Sequence, residues 1–365
     1  MEDATSIQKP AESKLKRIAG AFLRYGIPLA ITVLLVWYMF TKINFAELWD
    51  TVRHGVDYKW ILLAMGISVL SHIFRAMRWR LQLRAIDVHS PLMELSCSIF
   101  GTYALNLVFP RLGEVWRCTY ISQQRKAPFT SVLGTMFADR LADTLMVFLL
   151  LLLTLGVANS QITQFLAKYP IGRDLIGILQ NPLTWIGLGI IAVIIFDSWW
   201  EYKTTRLVKA FASKLSSVWT GFSVVIKMKG RVQFFLLTLA IWGCYFLQLY
   251  TAFFAFQCTL DHCFGEGTWF GLIPCLVAFV FSSIGMAVPS NGGLGPWNVA
   301  VVFGLTLYGV SEAAGTSMSI VVWSAQTIML IILGVFTAIY ISGGKRKDKE
   351  LEKTVADSLA IEEQL

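Results

Sequence analysis

Charge sits in this chain where it is least expected. In "FADRLADTLMVFLLLLL" (137–153), Asp139, Arg140 and Asp143 open a long apolar run. Asp139 and Asp143 are four apart, so on a helix they share a face. Charges buried at such a place are costly unless they pair or meet water. Arg140 cannot reach both carboxylates from its own helix with good geometry, so a further basic partner is required. "FPRLGEVWR" (109–117) offers Arg111, Glu114 and Arg117 at intervals of three. Brought together, the two motifs make a polar cluster of mixed sign. It either meets an anionic group or only anchors the segment that carries it.

A second stretch, "AVPSNGGLGPWN" (287–298), cannot continue a helix although apolar runs flank it. Pro289 and Pro296 stop and start helices, while Gly292, Gly293 and Gly295 permit positive φ. Ser290 and Asn291 add neutral hydrogen-bonding groups, and amides at the following helix start suit an anion. Broken backbone at membrane depth is tolerated only where protein buries it or water lines it. The alternative is an ordinary water-facing loop.

Arg75 and Arg78, in "SHIFRAMRWRLQL", stand one turn apart near the end of an apolar run. They could hold lipid phosphates through bidentate hydrogen bonds; the simpler account is snorkelling to the interface. The stretch 199–231 carries seven Lys and Arg against one acid, Glu201, together with Trp199, Trp200 and Trp219. It reads as a basic amphipathic element on anionic inner-leaflet lipids. The four histidines are scattered and the six cysteines hold no C-x-x-C, so no metal site and no cofactor are expected. Cys258 and Cys263 share a short loop and either pair or remain two thiols.

The elements that must position these groups are membrane helices. The 365 residues are 56% hydrophobic and 15% charged, with mean hydropathy +0.61, more apolar surface than a soluble domain of this size could bury. Apolar runs at 22–41, 60–77, 130–157, 183–197, 232–257 and 317–341 approach the twenty residues of a span. The net charge of +8 gathers in loops, as positive-inside topology requires, and no nucleic-acid-binding motif accompanies it. The first run reads as a span rather than a cleaved signal peptide. Crossing parity places every strong basic cluster on one side only if 92–109 and 269–309 dip in and return. The expected fold is therefore an all-α polytopic membrane protein of six full spans and two re-entrant hairpins. Its parts are a cytoplasmic tail (1–21), repeat 1 (22–157), repeat 2 (158–341, including 199–231) and a C-terminal tail (342–365), a solvated or frayed helix. Both termini are expected to be cytoplasmic and the membrane the cell's inner (plasma) membrane.

"CSIFGTYALNLVFPRLGEVWR" (97–117) parallels "CLVAFVFSSIGMAVPSNGGLGPWN" (275–298): a Cys, an apolar run, a Pro, a Gly-containing turn and a Trp. With opposite starting sides, this is the pattern of an inverted-topology repeat, found in transporters with midplane sites.

These motifs, with "RWRLQLRAIDV", resemble the lysylphosphatidylglycerol synthase membrane-region family, also called flippase-like membrane proteins, over about 20–341. The matching positions are Arg111, Gly113, Glu114, Arg117, Asp139, Arg140, Asp143, Pro289, Gly292, Gly293, Leu294, Gly295 and Pro296. In two-domain members this region precedes a soluble aminoacyl-transfer domain; the chain stops after a short tail, so that activity is not expected. The resemblance implies a lipid translocase for a polar-headed, anionic or phosphate-linked lipid, with Arg111, Arg117 and Arg140 attracting phosphate. Glu114, Asp139 and Asp143 would balance them, and Ser290, Asn291, Gly292, Gly293 and Gly295 would hold the headgroup. No P-loop for ATP is present. The alternatives are a membrane-embedded glycosyl or phosphoryl transferase, with a carboxylate as general base or metal ligand, or a scaffold for a separate lipid-modifying enzyme.

Overall fold

The computed structural model describes residues 45–158, 228, 230–288 and 290–362. The runs 22–41 and 183–197, the tail 1–21, nearly all of the basic stretch 199–231, and Pro289 lie outside the described residues. The described residues form helices and no strand: α1 Phe45–His54, α2 Tyr58–Arg84, α3 Leu92–Val108, α4 Leu112–Gln124, α5 Phe129–Val157, α6 Arg231–Phe253, α7 Gln257–Cys263, α8 Leu272–Gly285, α9 Pro296–Thr306 and α10 Glu312–Glu362. The expected C-terminal tail continues α10 as helical backbone to Glu362.

Among the described residues, four helices are long and apolar enough to cross a membrane: α2, α5, α6 and the Glu312–Gly343 part of α10. Their exposed faces are apolar at helical spacing. On α5 the outward residues are Leu145, Phe148, Leu149, Leu152 and Leu153; on α10 they include Ile328, Ile331, Ile332, Val335 and Ile339. The inward face of α2 instead carries Ser68, Ser71, His72, Arg75, Arg78 and Gln82, all buried. This reversal of the soluble pattern identifies lipid as the surrounding solvent, and the chain as a multi-pass membrane protein.

Between these long helices lie two helical hairpins. At 17, 13, 14 and 11 residues, α3, α4, α8 and α9 are each shorter than a span. The first hairpin closes at its base where Arg125 Nε donates to Ser90 Oγ (3.1 Å) and Arg125 pairs with Glu94. Its arms pack through glycine: a Cβ on Gly113 would lie 2.1 Å from the Thr102 carbonyl oxygen. The second closes in the same manner, with Gly304 against Ala278 and Gly285 against Pro296 and Ala300. Pro296 occupies the first turn of α9 after Gly295 at φ +86°, as the run of glycines and prolines requires.

The helices pack α2 on α6, α3 on α10, and α8 on α5, with each hairpin's second arm against the long helix that follows it. The end of α2 meets the start of α6, where Gly230 approaches Leu81, and the basic groups Arg84, Arg125 and Arg231 mark that end of the bundle. At the opposite end an antiparallel bridge joins Val56 to Phe256, and the Asp57 amide donates to the Ala255 carbonyl (3.0 Å). Nearby, Trp269 and Phe270 are 72% and 83% exposed. Among the described residues no disulfide joins Cys258 to Cys263, so the pairing alternative does not hold here; Cys263 is buried.

Candidate functional site

Asp139 lies ten residues beyond the start of α5, about 15 Å along its axis. It and Asp143 face the interior, 0% and 8% exposed. The basic partners their burial demands come mainly from α2. Arg75 Nη1 donates to Asp143 Oδ2 (2.9 Å) and Asp139 Oδ2 (3.4 Å). Arg78 Nη2 donates to Asp143 Oδ1 (2.8 Å) and lies 2.7 Å from Asp139 Oδ1. Arg117, from α4, approaches Asp139 Oδ2 at 3.6 Å, an ion-pair distance too long for a hydrogen bond.

Neutral groups complete the shell. Tyr245 Oη accepts from Arg75 Nε (3.2 Å) and Nη2 (3.0 Å), and Thr238 Oγ1 accepts from Arg78 Nη1 (3.1 Å), both from α6. Arg117 stacks on Trp79, 4.6 Å from ring centroid to guanidinium carbon, and Trp79 Nε1 donates to Thr135 Oγ1 (2.9 Å). Four helices thus converge on three guanidinium and two carboxylate groups, all buried.

This placement departs from expectation for Arg75 and Arg78. Neither snorkels; at 3% and 0% exposure both point inward, because the inner face of α2 is the polar one and α5 presents two acids to it. As lipid-headgroup candidates they are shut off from the surface in this conformation. Arg140 pairs with Glu114 across α4 and α5, with side chains 41% and 15% exposed, so the two motifs meet here outside the aspartate cluster. Arg111 stays outside the cluster. It caps α4 at φ +64°, is exposed, and donates through Nη2 to the Ala287 carbonyl (2.8 Å) of the other hairpin.

That bond is one of several joining the two tips. The Gly292 amide donates to the Asn106 carbonyl (3.1 Å), and Asn291 Nδ2 donates to the Val108 carbonyl (3.2 Å). From α10, Trp323 Nε1 donates to the Gly292 carbonyl (2.9 Å). Gly292 and Gly293 hold φ +60° and +85°. Ser290 lies half-buried at the same tip. The expected anion seat at the start of α9 is engaged by the protein itself. The amides of Gly292, Leu294, Trp297 and Val299 have carbonyl acceptors, and that of Gly295 donates to Asn298 Oδ1 (3.1 Å).

Sequence reading missed Tyr245, Thr238, Asn106 and Trp323, neutral residues inside apolar runs with no spacing to mark them. It also missed a chain of amides and a hydroxyl through the bundle: Gln248 Nε2 donates to Gln326 Oε1 (2.7 Å), and Gln326 Nε2 to Ser68 Oγ (3.1 Å).

No curated protein and no solved structure matches the chain. A family model described as the lysylphosphatidylglycerol synthase TM region matches residues 26–334, the greater part of the sequence and every element of the site just described. The chain belongs to the lysylphosphatidylglycerol synthase TM-region family.

Proposed function

We propose that this protein moves a polar-headed, phosphate-bearing lipid between leaflets. Its family points to a membrane-lipid function. The observation that carries the finer reading is a polar trio set in an apolar outer wall beside the joined tips: Arg111, Glu114 and Arg140. Around it Phe109, Leu112, Val115, Phe137 and Leu141 are exposed. A headgroup would meet the trio while its acyl chains lay against those apolar side chains and never left hydrocarbon. The buried cluster behind would supply the field of a net positive charge, three guanidiniums against two carboxylates.

In this reading the order long helix, hairpin, long helix is an inverted-topology repeat, and α3–α4 and α8–α9 are re-entrant. Reciprocal packing supports it: the first hairpin leans on the last long helix (α3 on α10), and the second on the long helix of the first half (α8 on α5). In this reading the end of the bundle marked by Arg84, Arg125 and Arg231 faces the cytoplasm. Rocking of the halves about the tips would open the trio to alternate leaflets.

The test is reconstitution of the full chain into vesicles carrying a headgroup-labelled lipid, with sidedness read by an impermeant quencher. Arg111→Gln and Arg140→Gln are expected to slow exchange at least tenfold while the protein still inserts, each loss of a charged hydrogen bond being worth about 1.5–3 kcal/mol. Wild-type exchange in both would remove the trio from the mechanism. A new lipid product formed with a donor present would replace translocation by group transfer.

A further inference from the structure

We propose that Arg117 is the seat of a tetrahedral oxyanion, the phosphate of a lipid headgroup or a free phosphate, inside the cluster. The inference deepens the lipid-headgroup reading and rests on it only for the lipid source.

The argument is one of elimination among guanidiniums. Arg75 commits Nε, Nη1 and Nη2 to Tyr245 and the two aspartates. Arg78 commits both terminal nitrogens, to Thr238 and Asp143. Arg140 has a carboxylate in Glu114, and Arg111 a carbonyl in Ala287. Arg78, Arg80 and Arg140 each leave one buried nitrogen, Nε, without a partner, whereas Arg117 leaves two side by side, Nε and Nη2. Those two nitrogens form one edge of the guanidinium, with parallel N–H bonds spaced to fit two oxygens of a phosphate or carboxylate.

The nearest acid does not fill that edge, since Asp139 Oδ2 stands 3.6 Å from Nη2. Asp139 is held by Arg75 and Arg78 instead. The guanidinium plane is fixed by the Trp79 ring, which is itself tied to Thr135. A rigid, dry, cationic fork without an acceptor carries a large desolvation cost, which an oxyanion would relieve. The charge agrees: Arg75, Arg78 and Arg117 against Asp139 and Asp143 leave one positive charge for a phosphodiester monoanion to neutralise.

At 1% exposure Arg117 is closed to the bilayer in this conformation. The accessible Arg140–Glu114 pair lies between the same helices, α4 and α5, that carry Arg117 and Asp139. A headgroup taken up at the outer trio would pass to Arg117 when α4 and α5 part.

The experiment uses the purified full chain in a phosphate-free maltoside detergent, with Arg117→Lys and Arg117→Gln. Lysine keeps the charge and loses the fork. One arm measures binding of tail-labelled phosphatidylglycerol against tail-labelled diacylglycerol, which lacks the phosphate. The other measures the shift of the thermal midpoint with inorganic phosphate. Wild type is expected to prefer phosphatidylglycerol by about tenfold or more, and both variants to lose that preference. A phosphate-dependent midpoint shift without lipid preference, absent from both variants, supports the seat and identifies free oxyanion as its occupant. The proposal is overturned if wild type shows neither response, or if Arg117→Lys keeps both. Should the variants fail to fold, phenylglyoxal labelling of wild type decides: the lipid or phosphate must protect Arg117, and equal labelling refutes the seat. Lipid preference without leaflet exchange would sink the translocase reading and leave the seat; leaflet exchange by a wild type that shows neither binding response would sink the seat and leave the translocase.

Discussion

Replacing Asp143 by Asn tests the buried cluster most sharply. The change is nearly isosteric, so packing is kept while one negative charge is removed. Wild type sets three guanidiniums against two carboxylates, a net +1; Asp143→Asn raises it to +2 and Arg78→Gln lowers it to 0. Asp143→Asn also weakens two charged hydrogen bonds, from Arg75 Nη1 at 2.9 Å and Arg78 Nη2 at 2.8 Å. Removing one partner from a buried ion pair costs about 3–5 kcal/mol, because the remaining charge is left unpaired. Arg78→Gln is expected to cost less than Asp143→Asn, since it brings the cluster to formal balance. The double variant restores +1, so its loss should fall short of the sum of the singles by about 1–3 kcal/mol. Denaturant unfolding in detergent micelles, followed by helical circular dichroism, measures all three. Equal stability of Asp143→Asn and wild type, or strict additivity in the double variant, would refute the electrostatic account of the cluster.

Three further substitutions test the hairpins. Gly113→Ala places a Cβ 2.1 Å from the Thr102 carbonyl, against backbone that cannot yield, and is expected to cost about 3 kcal/mol and most of the folded yield on size-exclusion chromatography. Gly292→Ala meets only the end of the flexible Leu107 side chain at 2.5 Å, besides φ +60°, so about 1–2 kcal/mol is expected in the same unfolding assay. Trp323→Phe removes the donor to the Gly292 carbonyl and should cost about 1 kcal/mol; no change would mean that bond contributes nothing.

What was legible in advance was whatever broke a local pattern. Asp139 and Asp143 stand out in an apolar run, and their spacing fixes a common face. Pro296 and the glycines at 292–295 announce a turn whatever surrounds it. Pairing across the bundle left no such trace. Arg75 meets its acids 64 and 68 positions away, and from its own helix it is indistinguishable from a snorkelling residue near a span's end. Tyr245 and Trp323 are ordinary members of apolar runs until the fold aims their polar atoms inward. The amides of 292–295 and of the helix start that follows read as open to an anion, because sequence shows which residues break a helix, not which acceptors wait opposite. Asn106, from the other hairpin, is one of those acceptors.

The joined tips bear on how the molecule is assembled. The Gly292 amide and the Asn291 carboxamide spend their hydrogens on carbonyls of the first hairpin, and the Arg111 guanidinium spends one on the second. Expressed by itself, either half would lack the carbonyls and donors that the other tip supplies in the whole chain. Co-translational insertion must therefore keep the earlier elbow waiting until the later one emerges, and severed fragments should recover only when made together.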